Sequence, residues 1–122
     1  MRVWLYARLS NDDDREMNSL LNQREVCQAF AEQHGYIIMG QSFDDNISGM
    51  SFDRRGLDEL TAAAAADMID AVIVKDLSRL GRHRTQTALF IDYLREHQVR
   101  VISAKRISLL VNSHISTYES PV

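Results

Sequence analysis

One serine and a set of arginines stand where apolar runs of this sequence end, and together they could handle a phosphate ester. The first run, residues 2–7, leads straight to Arg8 and Ser10, whose side chains leave an extended chain on the same side. The most hydrophobic run, residues 69–74, leads into Lys75-Asp76-Leu77-Ser78-Arg79-Leu80-Gly81-Arg82. There the spacing of Arg79 and Arg82 brings them together on a helical turn. The polar segment 45–55 adds Ser48, Arg54 and Arg55. A phosphodiester under attack gathers negative charge on its non-bridging oxygens, and preorganised guanidinium groups stabilise that charge. A serine hydroxyl is a weak nucleophile at neutral pH and needs activation or a strongly electrophilic phosphorus. Arginine stays protonated, so it supplies charge but is a poor base. Asp12, Asp13, Asp14, Asp44, Asp45 and Asp76 are all candidate proton acceptors, and the sequence singles out none of them.

Taken singly, these pieces have plainer explanations. Ser10 before an acidic run could cap a helix. Arg79 and Arg82 could pair with Asp76 in a solvated network. Ser48-Gly49 could be a simple turn. Their convergence depends on the elements that carry them. Residues 2–7 read as a buried strand. Residues 16–34 read as a helix, with Met17, Leu20, Leu21, Cys27, Phe30 and Ala31 at helical spacing and Gly35 as its stop. A second strand begins at 36–39 and leads through Ser42 and Phe43 to Asp44-Asp45, and 45–55 reads as a loop. The spacing then predicts a helix over 56–66, a strand over 69–74, a helix over 85–97 with Ala88, Ile91 and Leu94 on one face, and a strand over 99–103. Strands alternating with helices imply an α/β domain on a mainly parallel sheet of four to five strands. With strand order 2-1-3-4, strands one and three are neighbours. Ser10 and the arginines then share the carboxyl edge, where ligands bind in such sheets. The catalytic domain is expected over 1–103. Residues 104–122 read as an atypical tail, in which 105–111 could form a fifth, antiparallel edge strand.

Composition narrows the partners. A hydrophobic share of 45% and a charged share of 25% are ordinary for a globular protein. A net charge of −3 argues against a domain that coats nucleic acid indiscriminately. Of 14 basic residues 12 are arginines, the side chain that grips phosphate oxygens bidentately. Cys27 has no disulfide partner, and His34, His83, His97 and His114 are scattered without ligand spacing, so neither a metal nor a cofactor is expected. The sequence carries no membrane-spanning stretch and opens into a strand, which leads to the expectation of a cytoplasmic location.

The motifs resemble those of the serine recombinases, the family of resolvases, invertases and the large transposon and phage integrases. Tyr6-Ala7-Arg8-Leu9-Ser10 matches the family's Tyr-x-Arg-x-Ser opening, and Gln23 follows on the first helix. Asp45-Asn46-Ile47-Ser48-Gly49 matches Asp-x-x-Ser-Gly, Asp53-Arg54-Arg55-Gly56-Leu57 matches Asp-Arg-x-Gly-Leu, and Arg79-Leu80-Gly81-Arg82 matches the Arg-Leu-Gly-Arg signature. The motifs span roughly residues 2–103 in order. The resemblance implies a resolvase-like three-layer fold. It makes Ser10 the nucleophile that joins a 5′ phosphate of DNA. Arg8, Arg54, Arg79 and Arg82 would hold the scissile phosphate, with Gln23, Asp45, Ser48 and Asp76 in support. It further implies double-stranded DNA as partner, a homo-oligomer on that DNA, no metal, and rejoining without ATP. Small resolvases carry aspartate where this chain has Ser78. Asp76, two residues earlier, follows the style of the larger transposon recombinases. The family continues into a long dimerisation helix, so this chain by itself is expected to bind DNA weakly. Two rivals stand beside this reading. One is a phosphoacceptor receiver domain, with Asp12, Asp13, Asp76 and Lys105 as its acids and lysine. The other is a non-catalytic remnant of a recombinase.

Overall fold

The computed structural model describes residues 1–10, 18–46, 54–81 and 84–104. Strand β1 (Arg2–Ser10) is followed by α1 (Leu20–Gln33), β2 (Ile37–Asn46) and α2 (Arg55–Ala65). Then come β3 (Ala71–Val74), a 3₁₀ turn (Leu77–Leu80), α3 (Arg84–Glu96) and β4 (Arg100–Ser103). The described strands form one all-parallel sheet in the order β2-β1-β3-β4, as the alternation of elements predicts.

Strand β1 is buried on both faces because helices cover both. Val3 and Leu5 pack with Cys27, Phe30 and Ala31 of α1 and with Ala71, Ile73 and Ile102. Tyr6 packs with Leu60, Ala63 and Ala64 of α2, with Val72 and Val74, and with Leu80 and Leu94. These two cores make the three layers. Helix α1 starts where the Ser19 side chain accepts the Asn22 amide at 3.0 Å, and it stops at Gly35, whose φ of +69° favours glycine. At the amino edge of the sheet, Asp70 binds the Arg2 amide at 2.8 Å and its guanidinium at 3.0 Å, which ties β1 to the approach of β3. That ion pair holds the Asp70 carboxyl below its ordinary range.

The structure corrects several boundaries. The strand expected over 2–7 runs on to Ser10, so the serine is its last residue. β2 is one strand of ten residues, and its second half alternates exposed and buried side chains although it is polar. Leu21 is 60% exposed, and the fully buried Gln23 takes its place on the inner face of α1. In α3, Ala88 is exposed, and Phe90 and Ile91 pack toward the core with Leu94. β3 starts at Ala71, with Ile69 buried just before it. The antiparallel strand expected at 105–111 lies outside the described residues.

Candidate active site

β3 stops at Val74 while β1 continues to Ser10, so the tip of β1 has no strand ladder on its β3 side. Two side chains take over. The Gln23 carboxamide accepts the Arg8 N–H at 3.1 Å and donates to the Arg8 carbonyl at 2.8 Å, as a neighbouring strand would. Arg79 Nη1 donates to the same carbonyl at 2.5 Å. Gln23 also holds the Asn18 carbonyl at 2.8 Å, and Lys75 Nζ donates to the side chains of Asn18 and Asn22 at 3.0 and 2.7 Å. The start of α1 is thereby fastened to the carboxyl ends of β1 and β3.

On the opposite face these strands border an open cleft of about 430 Å³. Arg8, Arg54 and Arg79 line it together with Tyr6, Asp44 and Asn46, and Leu57, Leu80, Phe90 and Tyr93 form its apolar wall. Arg8 and Arg79 are buried, whereas Arg54 is exposed at the head of α2. The Arg8 guanidinium donates to the Ser78 carbonyl and, at 3.4 Å, to that of Gly81. Asp76 caps the 3₁₀ turn by accepting the Ser78 amide at 3.1 Å and the Ser78 hydroxyl, and it accepts Arg79 Nε at 3.3 Å. Asp76 thus aims Arg79. Ser10, half-buried at the end of β1, pairs in register with Asn46, which faces the cleft. Paired residues of a sheet share a face, so Ser10 stands on the cleft side with Tyr6 and Arg8.

The other site residues fall elsewhere. Gln23 supports Arg8 from behind β1 and does not line the cleft. Asp45 is exposed and alternates to the α1 side of β2, while its neighbour Asp44 faces the cleft and is 1% exposed. Ser48 and Arg82 lie outside the described residues, as do Asp12, Asp13 and Asp14. Sequence reasoning assigned no role to Tyr6 or Asn46, and it held Asp44 only as one of six candidate proton acceptors. The signal was there in the parity of β2, whose buried Ser42, Asp44 and Asn46 alternate with Gln41, Phe43 and Asp45. Among the described residues no group of His, Cys, Asp or Glu is arranged to hold a metal ion.

Tyr6 Oη donates to Asp44 Oδ2 at 2.6 Å. Burial raises the pKa of the phenol far above its usual range, the Asp44 bond and charge add to this, and Arg8 and Arg54 oppose it. The folded chain therefore keeps Tyr6 protonated where an unfolded tyrosine ionises, near pH 10. Stability from this group is fully present below that pH and is lost as the pH rises further. Tyr6→Phe should flatten the alkaline limb of the stability–pH curve, measured by urea unfolding. An unchanged slope would contradict the assignment.

Comparison with known proteins agrees with this fold. The family model for the resolvase N-terminal domain matches residues 3–115. A resolvase family site-specific recombinase from Streptococcus pneumoniae is 27% identical, with a TM-score of 0.74 over 87% of this chain and 73% of that one. The N-terminal catalytic domain of TP901-1 integrase is 21% identical, with a TM-score of 0.73 over 98% and 89% of the two chains. The C-terminal catalytic domain of ISC1926 TnpA, an IS607-like serine recombinase, is 23% identical, with a TM-score of 0.70 over 91% and 78%. The family match displaces the receiver-domain reading. No described helix is long and apolar enough to cross a membrane. The chain belongs to the resolvase family, as a serine recombinase catalytic domain.

Proposed function

We propose that this domain cuts and rejoins duplex DNA through a covalent bond between Ser10 Oγ and a 5′ phosphate. The observation that carries this reading is the convergence of Arg8, Arg54 and Arg79 on one open cleft beside the tip of β1. In the reaction Ser10 Oγ attacks phosphorus and gives up its proton. The bond to the 3′ oxygen breaks, and that oxygen leaves as a hydroxyl once protonated. The guanidinium groups meet the charge that develops on the non-bridging oxygens. The phosphoserine ester conserves the energy of the phosphodiester, so attack by a new 3′ hydroxyl reseals the strand and frees Ser10. Arg82 and Ser48 are assigned to the same site on their motifs. Asp76 supports through Arg79, and Gln23 through the backbone of Arg8. The protein works on DNA as a homo-oligomer, since exchanging strands requires several cleaved ends to be held together.

The test is trapping. The protein is incubated with duplex DNA from either flank of its own gene and then denatured. Mass spectrometry should find a nucleotide-bearing phosphoserine in the Ser10 peptide. A folded protein that yields no adduct with any such duplex would instead be a remnant that keeps the fold without the reaction.

A further inference from the structure

We propose that Asp44 is a positioning residue for Arg54 and does not accept the proton of Ser10. The inference rests on the reading of the cleft given above. Asp44 lies opposite Arg8 in the β1–β2 ladder, and its carboxylate gathers donors from two other elements. Oδ2 accepts the Tyr6 hydroxyl at 2.6 Å and the Leu57 amide at 2.9 Å, and Oδ1 accepts the Gly56 amide at 2.6 Å. Gly56 and Leu57 belong to the first turn of α2, whose amides have no partner within the helix. A residue at the N-cap position usually serves such amides with its own side chain. Here that residue is Arg54, which makes no side-chain cap bond. Asp44 performs the capping from the neighbouring strand and leaves Arg54 to the cleft.

A second attachment fixes the same turn. Ser42 Oγ donates to the Gly56 carbonyl at 2.7 Å and accepts the Trp4 indole N–H at 2.9 Å. Gly56 also lies directly on β2, since a Cβ there would sit 2.4 Å from the Phe43 carbonyl oxygen. The head of α2 is thus seated on residues 42, 43 and 44, and Arg54 enters the cleft from that seat. Arg54 is exposed, so its reach depends on where its backbone is anchored. The same contacts weigh against Asp44 as a base. A protonated Asp44 would set its O–H against the Gly56 or Leu57 amide N–H, or require the Tyr6 hydroxyl to turn and accept, and would loosen the junction at the moment of attack.

The test is a double-mutant cycle on the full chain, read as single-turnover cleavage of the trapping substrate and as affinity for inorganic phosphate. Arg54→Ala should slow cleavage about 100-fold, the scale for one lost charge-stabilising donor. Asp44→Asn should slow it about 10-fold or more, because an amide group faces at least one former donor. If Asp44 acts through Arg54, the double variant should be no slower than Arg54→Ala alone, within about threefold. Phosphate affinity should follow the same pattern. Multiplied penalties would overturn the inference, as would a pH–rate profile of Asp44→Asn that loses a limb of the wild-type curve. Tyr6→Phe removes one donor with little change in volume and guards against misfolding of the Asn variant. It should slow cleavage about threefold beside Arg54 and leave the Arg54→Ala rate unchanged; a slowing that persists without Arg54 counts against the inference. If Ser10→Ala still cleaves, the reading of the cleft fails. If Ser10 is required and the cycle is multiplicative, only the role of Asp44 fails. If the wild type neither cleaves nor binds phosphate, both fail.

Discussion

Ser10→Ala should abolish covalent capture of DNA while leaving the fold and non-covalent binding in place. Ser10 sits half-buried at the last rung of β1, paired with Asn46, and belongs to neither hydrophobic core. Removing one hydroxyl there should change stability by no more than about 1.5 kcal/mol, the scale of one hydrogen bond. The kinetic effect should be far larger. Deleting the nucleophile of a covalent mechanism typically costs at least about 10⁴-fold, because the surrounding groups stabilise a reaction that no longer has its attacking atom. Each tenfold corresponds to about 1.4 kcal/mol, so about 5 to 6 kcal/mol of barrier hangs on one atom. Electrophoretic retardation of the trapping duplex should be nearly the same for both proteins. Undiminished cleavage by the alanine variant would remove Ser10 from the mechanism.

The second large effect should come from Gly56→Ala. The added Cβ would stand 2.4, 2.6 and 2.8 Å from the carbonyl oxygen, carbonyl carbon and nitrogen of Phe43. All three are backbone atoms of β2, and none can rotate aside. The head of α2 must therefore lift, drawing Leu60, Ala63 and Ala64 from the core and breaking the bonds to Ser42 and Asp44. A loss of about 3 kcal/mol is expected, at the severe end for a single methyl group. In a domain of this size that lowers Tm by about 10 °C or more. Gly35→Ala offers a scale: it strains a residue at φ +69° but meets nothing within 4 Å, and should cost about 1 kcal/mol. Gly56→Ala melting at or above the Gly35→Ala protein would show that the junction yields.

The sheet order, and the meeting of Arg8 and Arg79 at its carboxyl edge, were legible because they follow from alternation. Apolar runs separated by helical periods dictate a parallel sheet, and residues two apart on a strand share a face. Arg8 and Ser10 needed nothing more. What stayed hidden was polar structure whose bonds are made far away in the chain. Residues 40–46 show no apolar alternation, because Ser42, Asp44 and Asn46 are polar. They are buried as a strand, with Ser42 and Asp44 satisfied by the head of α2. Without apolar alternation the strand's parity stayed hidden, so the Asp-x-x-Ser-Gly motif directed attention to Asp45, which faces away. Gln23 was noticed by its motif, but a carboxamide that replaces a missing strand neighbour leaves no periodic trace. Ala88 was assigned inward because a small apolar residue fits helical spacing, whereas Phe90 and Ile91 supply the inward contacts with Leu94.

The short β3 bears on any attempt to transplant this site. Were the tip of β1 held by an ordinary ladder, a designer could graft Tyr6 through Ser10 onto another parallel sheet and expect the backbone to follow. Here the N–H and carbonyl of Arg8 are held by Gln23 and Arg79, which reach in from α1 and the 3₁₀ turn. A graft without them would leave two buried backbone groups with no partner, and the tip would refold to find some. The portable unit is therefore the pentapeptide with its two distant clasps. An alanine scan of Arg79 would register the collapse of that tip as well as a lost guanidinium.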